Sequence, residues 1–278
     1  MTRMGRMTAM AAIALLAGTT AAVAQSCQPK VAAGALVKPG TLVMSTNPTL
    51  PPMQFVNQQG ELVGMRVELG TEIAKRLCLA PEYVRIEFSA MIPGLQVGRW
   101  DVINTGIFFT EERAKLMQMV PYEYQAISIS APKGNPGRIT KVEDLAGKAV
   151  GVEIGGFEER RLRDIDTQLK AKSLAGVTIR TFDNFATAYQ ALRAGQTDAT
   201  VSIDSVAKEY QDRGDFDRVL NGLFPTPVAL AMKNKDLAEA IVKVLNEMRA
   251  DGYYKALFDR FGLTLYEGTG FAIKGPSS

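Results

Sequence analysis

Apolar positions in the first third of the chain switch repeatedly between a period of two, which marks strands, and a helical period of three to four. Thr41 to Ser45 reads as a first strand after the turn at Pro39-Gly40, and Gln54–Val56 with Leu62–Gly64 reads as a hairpin around Asn57-Gln58-Gln59-Gly60. Leu69, Ile73 and Leu77 then fall at i, i+4, i+8 on a helix; Pro81 ends the connection, and Val84 to Phe88 alternates as a strand. A short helix is predicted over Ala90–Gly98, a strand over Trp100–Asn104 and a loop over Thr105–Phe109 that contains Gly106. This alternation predicts a parallel sheet in an α/β fold. Arg113 follows just beyond the carboxyl end of that strand, the edge of open α/β sheets where ligands sit. A planar guanidinium there suits a carboxylate, which it grips through two parallel hydrogen bonds.

The rest of the chain repeats the scheme. Ile127–Pro132 reads as an extended segment leaving the first unit, followed by a short helix over Lys141–Gly147. Strands are expected at Ala149–Val152, Val177–Phe182 and Ala199–Ile203. Helices are expected over Phe157–Leu169, through Phe185, Tyr189 and Leu192, and from Asp204 onward. Pro225–Met232 reads as a strand returning to the first unit, and Leu237, Ile241, Val244, Leu245 and Met248 form one face of a helix that Gly252 stops. Two crossings divide the chain into lobe 1, residues 25–128 plus 228–272, and lobe 2, residues 129–227, with 273–278 as a disordered tail. Such a pair of crossings is a hinge that closes on a ligand.

Residues 1–24 read as a signal peptide: Arg3 and Arg6 precede an apolar run, Ala9–Ala17, and Ala22-Val23-Ala24 is an A-x-A cleavage signal. Cleavage after Ala24 yields an exported chain of about 250 residues; a lipid anchor on Cys27 is the weaker reading, because Ala24-Gln25-Ser26 lacks a lipobox pattern. Removing Arg3 and Arg6 takes the formal charge from +3 to +1 (3 − 2), which leaves no electrostatic footprint for nucleic acid. Cys27 and Cys78 both lie in the exported part, where a disulfide between them is chemically available; the other reading of Cys78 is a small apolar residue on a buried helix face. The chain has no histidine, which removes Ser-His-Asp and Cys-His catalysis and the commonest metal ligand. No catalytic residue, metal ligand or cofactor is predicted.

Five stretches occur in a recognisable order: LVGMRVELGTEIAKRL from Leu62, IPGLQVGRWDV with TEERAK from Ile92 to Lys115, VEDLAGKAVGVEIG from Val142, ALRAGQTDA from Ala191, and Met248 to Phe261. In this order they resemble the periplasmic solute-binding proteins of polar amino-acid ABC transporters, solute-binding family 3, over nearly the whole chain after about residue 40. The resemblance implies a type II periplasmic binding protein fold, with a mostly parallel sheet in each lobe and two hinge crossings. It further implies periplasmic localisation, a monomer, and capture of an amino acid or related small carboxylate for the permease of an ABC importer in the inner membrane. Delivery to a sensor kinase or chemoreceptor is a further reading.

By the same resemblance, Arg113 grips the ligand's α-carboxylate and Asp204 accepts hydrogen bonds from its ammonium. The strand before Asp204 is one residue longer than the family's usual spacing, so Ser202 or Ile203 is the other candidate, and Asp204 is then a helix cap. The chain departs from the family pattern at Phe108, two residues beyond Gly106, where a hydroxyl residue is usual. It departs again at Gly156-Phe157, where Thr pairs are usual, and at Leu50, where an aromatic platform often stands. With Phe55 these residues predict an apolar pocket lining and a bulky or apolar ligand, while the N–H groups of Gly155–Phe157 offer an anion site at a helix N-terminus. Glu153, at the end of a strand, is a rim or ligand contact in the binding reading. In the alternative reading, a cyclohexadienyl dehydratase-like enzyme acting on prephenate or arogenate, it is the proton donor.

Overall fold

The computed structural model describes residues 27–276; the predicted signal peptide and its cleavage site lie outside the described residues. Strand β1 (Thr41–Thr46) enters the core directly, and a three-stranded antiparallel meander follows as β2 (Thr49–Leu50), β3 (Gln54–Val56) and β4 (Leu62–Val63). Helix α1 (Met65–Arg76), β5 (Ala80–Arg85), α2 (Phe88–Gln96) and β6 (Val102–Phe108) complete the first βαβαβ run. The fifth strand therefore starts earlier than its alternation suggested. Pro81 lies inside it, which an edge strand tolerates because only one side of its backbone pairs.

Helix α3 (Glu111–Ala114) leads into β7 (Gln118–Pro132). The second lobe follows with β8 (Ala149–Glu153), α4 (Phe157–Ala171), β9 (Thr178–Phe182), α5 (Phe185–Arg193), β10 (Ala199–Ile203) and α6 (Asp204–Asp212). The chain returns through β11 (Phe216–Met232) and ends on α7 (Lys235–Ala250) and α8 (Tyr253–Arg260). All eight long strands form one sheet in the order β5-β1-β6-β11-β7-β10-β8-β9. The outer strands are parallel within each half, and the two long central strands β7 and β11 are antiparallel to each other. Each of those central strands serves both halves: β11 pairs with β6 through Val228↔Phe108, and β7 pairs with β10 through Ile127↔Ile203.

Helix α7 shows how the pattern becomes packing. Its predicted apolar face, Leu237, Ile241, Val244, Leu245 and Met248, is at most 1% exposed, and each such side chain contributes about 1.5–3 kcal/mol by leaving water. Asn234 caps its start by accepting from the Leu237 N–H. On the opposite face of the sheet, α2 buries Phe88, Met91 and Leu95 with Trp100. The fit is tight enough that a Cβ on Gly94 would overlap the Trp100 ring at 2.1 Å.

Two features depart from the expectations drawn from the sequence. Residues 216–224 extend β11 well before Pro225, and the described part of the tail, residues 273–276, packs against the fold. Phe271 is buried edge-on to Tyr254, and the Lys274 backbone both donates to and accepts from Met119, so residues 273–276 are not the disordered tail expected. Cys27 and Cys78 are joined in a disulfide with Cα atoms 5.5 Å apart, which ties the N-terminal segment to the end of α1.

Candidate functional site

Strand β6 continues through Phe108 rather than ending in a loop, and its pairing with β11 slips near Thr105-Gly106, where four steps on β6 oppose two on β11. Such a bulge re-aims side chains beside a site. Here it is imposed from beneath. Gly106 has φ +81°, and a Cβ there would lie 2.2 Å from Cζ of Arg66, so glycine is required both by the backbone angle and by the guanidinium below it.

Arg66 is wholly buried. It forms an ion pair with Glu123 (3.1 Å), donates from Nε to the Tyr122 hydroxyl (2.9 Å), and donates from Nη1 to Gln54 Oε1 (3.1 Å) and the Thr105 carbonyl (3.2 Å). Burial opposes its charge, but Glu123 and Tyr122 more than offset this and hold its pKa above the ordinary value. The network runs on toward the cleft. Gln54 Nε2 donates to the Thr105 carbonyl and hydroxyl oxygens, the Thr105 hydroxyl accepts from the Asn47 N–H (3.0 Å), and Asn47 Nδ2 donates to Glu153 Oε1 of the other lobe (2.7 Å).

Between the lobes lies a cavity lined by Arg113, Phe108, Gly106, Leu50, Glu153 and Phe157, all predicted from the sequence, together with Asn47, Thr105, Phe88, Glu158, Phe185 and Ile203. Phe108 of lobe 1 stacks on Phe157 of lobe 2, with ring centroids 4.5 Å apart. The space left is about 10 Å3, no more than one water needs. The lobes are shut directly on one another. Asn184 Nδ2 donating to Glu87 (3.1 Å) and Arg160 paired with Glu112 (3.2 Å) also bridge them.

Arg113 lies over the face of Phe88, with Cζ 5.3 Å from the ring centroid, and donates to two backbone carbonyls, Phe108 (2.9 Å) and Gly155 of the other lobe (3.5 Å). None of its described contacts is an ion pair. Burial lowers its pKa, which the neighbouring Glu158 counteracts and Arg160 reinforces. Glu153 and Glu158 are each only 3% exposed. Burial, then the charges of Glu158 and Glu87, raises the Glu153 carboxyl well above the usual range against the Asn47 hydrogen bond; burial pushes the Glu158 carboxyl up to about 7 although Arg113 opposes it.

Not every residue expected at the site lies in this cavity. Asp204 does not line this cavity: it pairs with Arg218 (3.2 Å), and it accepts from the hydroxyl of Ser128 and the N–H of Gly222. The extra residue in β10 is the reason, since it turns Ile203 inward and Asp204 to the other side; Asp204 makes no capping bond either, Ile203 being the N-cap of α6. Phe55 lies half-buried on β3, outside the cavity lining. Gly156 does not line this cavity; it lines a neighbouring pocket with Arg113, Phe157 and Arg160. The N-terminus of α4 is not free for an anion, because the Gly155 N–H donates to Glu159 Oε2 (2.7 Å) and the Glu158 carboxylate folds back over Gly156. Glu158 escaped the sequence reading because an acid in the first turn of a helix ordinarily complements the helix dipole in solvent. The signal was Gly-Gly-Phe before it, which buries that turn.

The family described as bacterial extracellular solute-binding proteins, family 3, matches residues 42–264. The L-cystine-binding protein TcyJ of Escherichia coli (strain K12) is 33% identical over 233 residues, 80% of this chain and 82% of that protein. The histidine-binding periplasmic protein of the same strain is 30% identical over 235 residues, 80% of this chain and 88% of that protein. Among solved structures, an ancestral arginine-binding protein bound to arginine superposes with a TM-score of 0.74 at 35% identity, covering 80% of this chain and 98% of that one.

Proposed function

This chain belongs to the bacterial extracellular solute-binding proteins, family 3, and from that premise we propose that it captures an amino acid between its lobes, with Arg113 holding the α-carboxylate. These relatives are by name amino-acid-binding proteins, and a further solved relative at 26% identity is by name the substrate-binding protein of an amino acid ABC transporter. One observation carries the residue assignment: Arg113 is a desolvated guanidinium in the interlobe cleft whose described partners are carbonyl oxygens, none of them a carboxylate. A forked pair of charge-assisted bonds to a carboxylate contributes about 3–6 kcal/mol, or 10²–10⁴-fold in affinity.

Closure works through the central strands. Lobe 1 is residues 25–128 plus 228–272 and lobe 2 is 129–227, with the crossings at Ser128 and Pro227. The slips in β11 pairing at Arg218/Leu220, Leu220/Leu223 and Leu223/Thr226 support a flexible segment there. The shut form presents a surface from both lobes to the permease, and the Phe108–Phe157 stack opens to admit ligand. The chain acts in the periplasm as a monomer after cleavage behind Ala24.

The test is thermal denaturation of the chain from Gln25 onward with a panel of amino acids. A ligand at 100 times its dissociation constant adds about 2.7 kcal/mol of stability. Stabilisation by at least one amino acid, lost in Arg113→Ala, is expected; stabilisation undiminished in that variant overturns the role given to Arg113.

A further inference from the structure

One of the two crossing strands carries a bulky residue in an unfavourable backbone conformation. Phe224 of β11 has φ +51°, in the left-handed region that is a genuine outlier for an aromatic side chain, and Pro225 follows it. It is the only aromatic residue among the described non-glycine residues with positive φ, and it stands just before the crossing at Pro227. The pairing with β7 slips there: the three steps from Leu223 to Thr226 oppose the two from Ile127 to Gln125, so β11 bulges by one residue. Such a conformation persists only where its surroundings hold it, and it collects at clamps and switches.

What meets the Phe224 ring is an arginine. Cζ of Arg161, on α4, lies 5.6 Å from the centroid of Phe224 and 5.0 Å from that of Phe157, so one guanidinium joins the two rings. Its Nη1 pairs with Asp164 along the helix (3.3 Å), while its Nε is buried without a hydrogen-bond partner; the group is placed for the rings more than for hydrogen bonds. Phe157 in turn stacks on Phe108 of the other lobe. An unbroken file of side chains, Phe108, Phe157, Arg161 and Phe224, therefore runs from lobe 1 across the cleft to the hinge. On its outer side Phe224 borders a groove of about 590 Å3 with Ile165, Leu169, Leu220 and Leu223, which gives the ring room to move when its backbone relaxes.

Resting on the reading that the lobes open and shut on a solute, we propose that this file couples the cleft to the hinge. In the shut form Phe157 positions Arg161, Arg161 holds Phe224 in its strained conformation, and the strained bulge sets the angle of the crossing. Separation of the lobes takes Phe108 off Phe157 and frees Arg161 and Phe224 to relax, so that opening releases strain. A solute filling the cleft takes the place of Phe108 against Phe157 and keeps the file in order. Arg161 and Phe224 are thus positioning residues: neither lines the cleft, and both set how readily it closes.

Single-molecule energy transfer between dyes on Lys243→Cys of lobe 1 and Arg180→Cys of lobe 2, both exposed positions, reads the ratio of open to shut molecules in the full exported chain, first without any amino acid. Arg161→Leu removes the cation from both rings and is expected to raise that ratio about fivefold, in keeping with one partly exposed cation–π contact. Glycine adopts the left-handed region freely, so in Phe224→Gly nothing needs holding, and adding Arg161→Leu there is expected to leave the ratio unchanged. Phe224→Asn, which also tolerates that region, is the second background where the glycine variant does not fold. No effect of Arg161→Leu on the otherwise native chain, or an equal effect in every background, overturns the coupling. The common amino acids are then added one by one to the native chain, and at least one is expected to shift the ratio toward the shut form. Absence of any such shift counts against solute capture alone, because the coupling is read without a solute.

Discussion

Replacing Arg66 with methionine isolates the buried pair on which the cleft floor rests. The guanidinium and the Glu123 carboxylate are both 0% exposed, and the methionine fills comparable volume without charge. Glu123 is then left in the interior with only the side-chain amide of Gln125 as donor, while Gln54 Oε1 and the Tyr122 hydroxyl each lose a partner. Stranding one member of a buried ion pair costs about 3–5 kcal/mol, and Glu123→Leu is expected to cost a similar amount by stranding Arg66. The double variant Arg66→Met/Glu123→Leu strands neither charge, and well-packed apolar replacements of buried pairs are neutral or stabilising by up to about 4 kcal/mol. The two single losses therefore do not add, and the cycle should give a coupling of about 2 kcal/mol or more. Urea denaturation followed by circular dichroism measures all four proteins, with the slope checked for constancy so that midpoints report stability. A single variant costing less than about 1 kcal/mol, or a double variant equal to the sum of the singles, refutes the assignment of Arg66 and Glu123 as a mutually dependent pair.

The Glu158 carboxyl, raised by burial from its ordinary value to about 7, makes the shut form bind more protons than the unfolded chain between about pH 4.5 and 7. Its contribution is complete below that window and is lost as pH rises through it, so the stability of wild type relative to Glu158→Gln should fall by on the order of 3 kcal/mol across it. A difference constant with pH contradicts this. Reducing the Cys27–Cys78 disulfide, which spans a sequence separation of 51, should lower stability by about 4 kcal/mol on loop-closure entropy, read from denaturation with and without dithiothreitol. A loss below about 1 kcal/mol would mean that the tethered N-terminal segment contributes little to the folded state.

Much of the architecture was legible because it rests on apolar periodicity, which local sequence carries. The face of α7 and the strands β8, β9 and β10 came directly from that pattern. What was missed depends on tertiary context. The first half of β11 is half-polar and contains Gly222, so it reads as loop, and only pairing with β7 makes it a strand. Gly106 reads as a loop residue, whereas its position in a bulged strand is set by an arginine forty residues earlier in the chain. Arg66 itself gives no local signal, because charges on a helix ordinarily face water. In the site, Arg113 was visible from its motif and its place after a strand. Asp204 lies outside the cavity because of the added residue that the spacing showed, which reverses a strand's facing, and Ile203, one of the two alternatives that spacing offered, lines the cavity instead.

The central claim is that an amino acid lies between the lobes with its carboxylate on Arg113, and a crystal structure of the chain with its tightest-binding amino acid tests it most directly. The ligand is expected in the cavity lined by Arg113, Glu153 and Glu158, its carboxylate forked on the guanidinium, and the Phe108 and Phe157 rings parted to admit it. A ligand seated instead in the larger groove beside Asp204, Lys208 and Arg218, with Phe108 still stacked on Phe157, would contradict it.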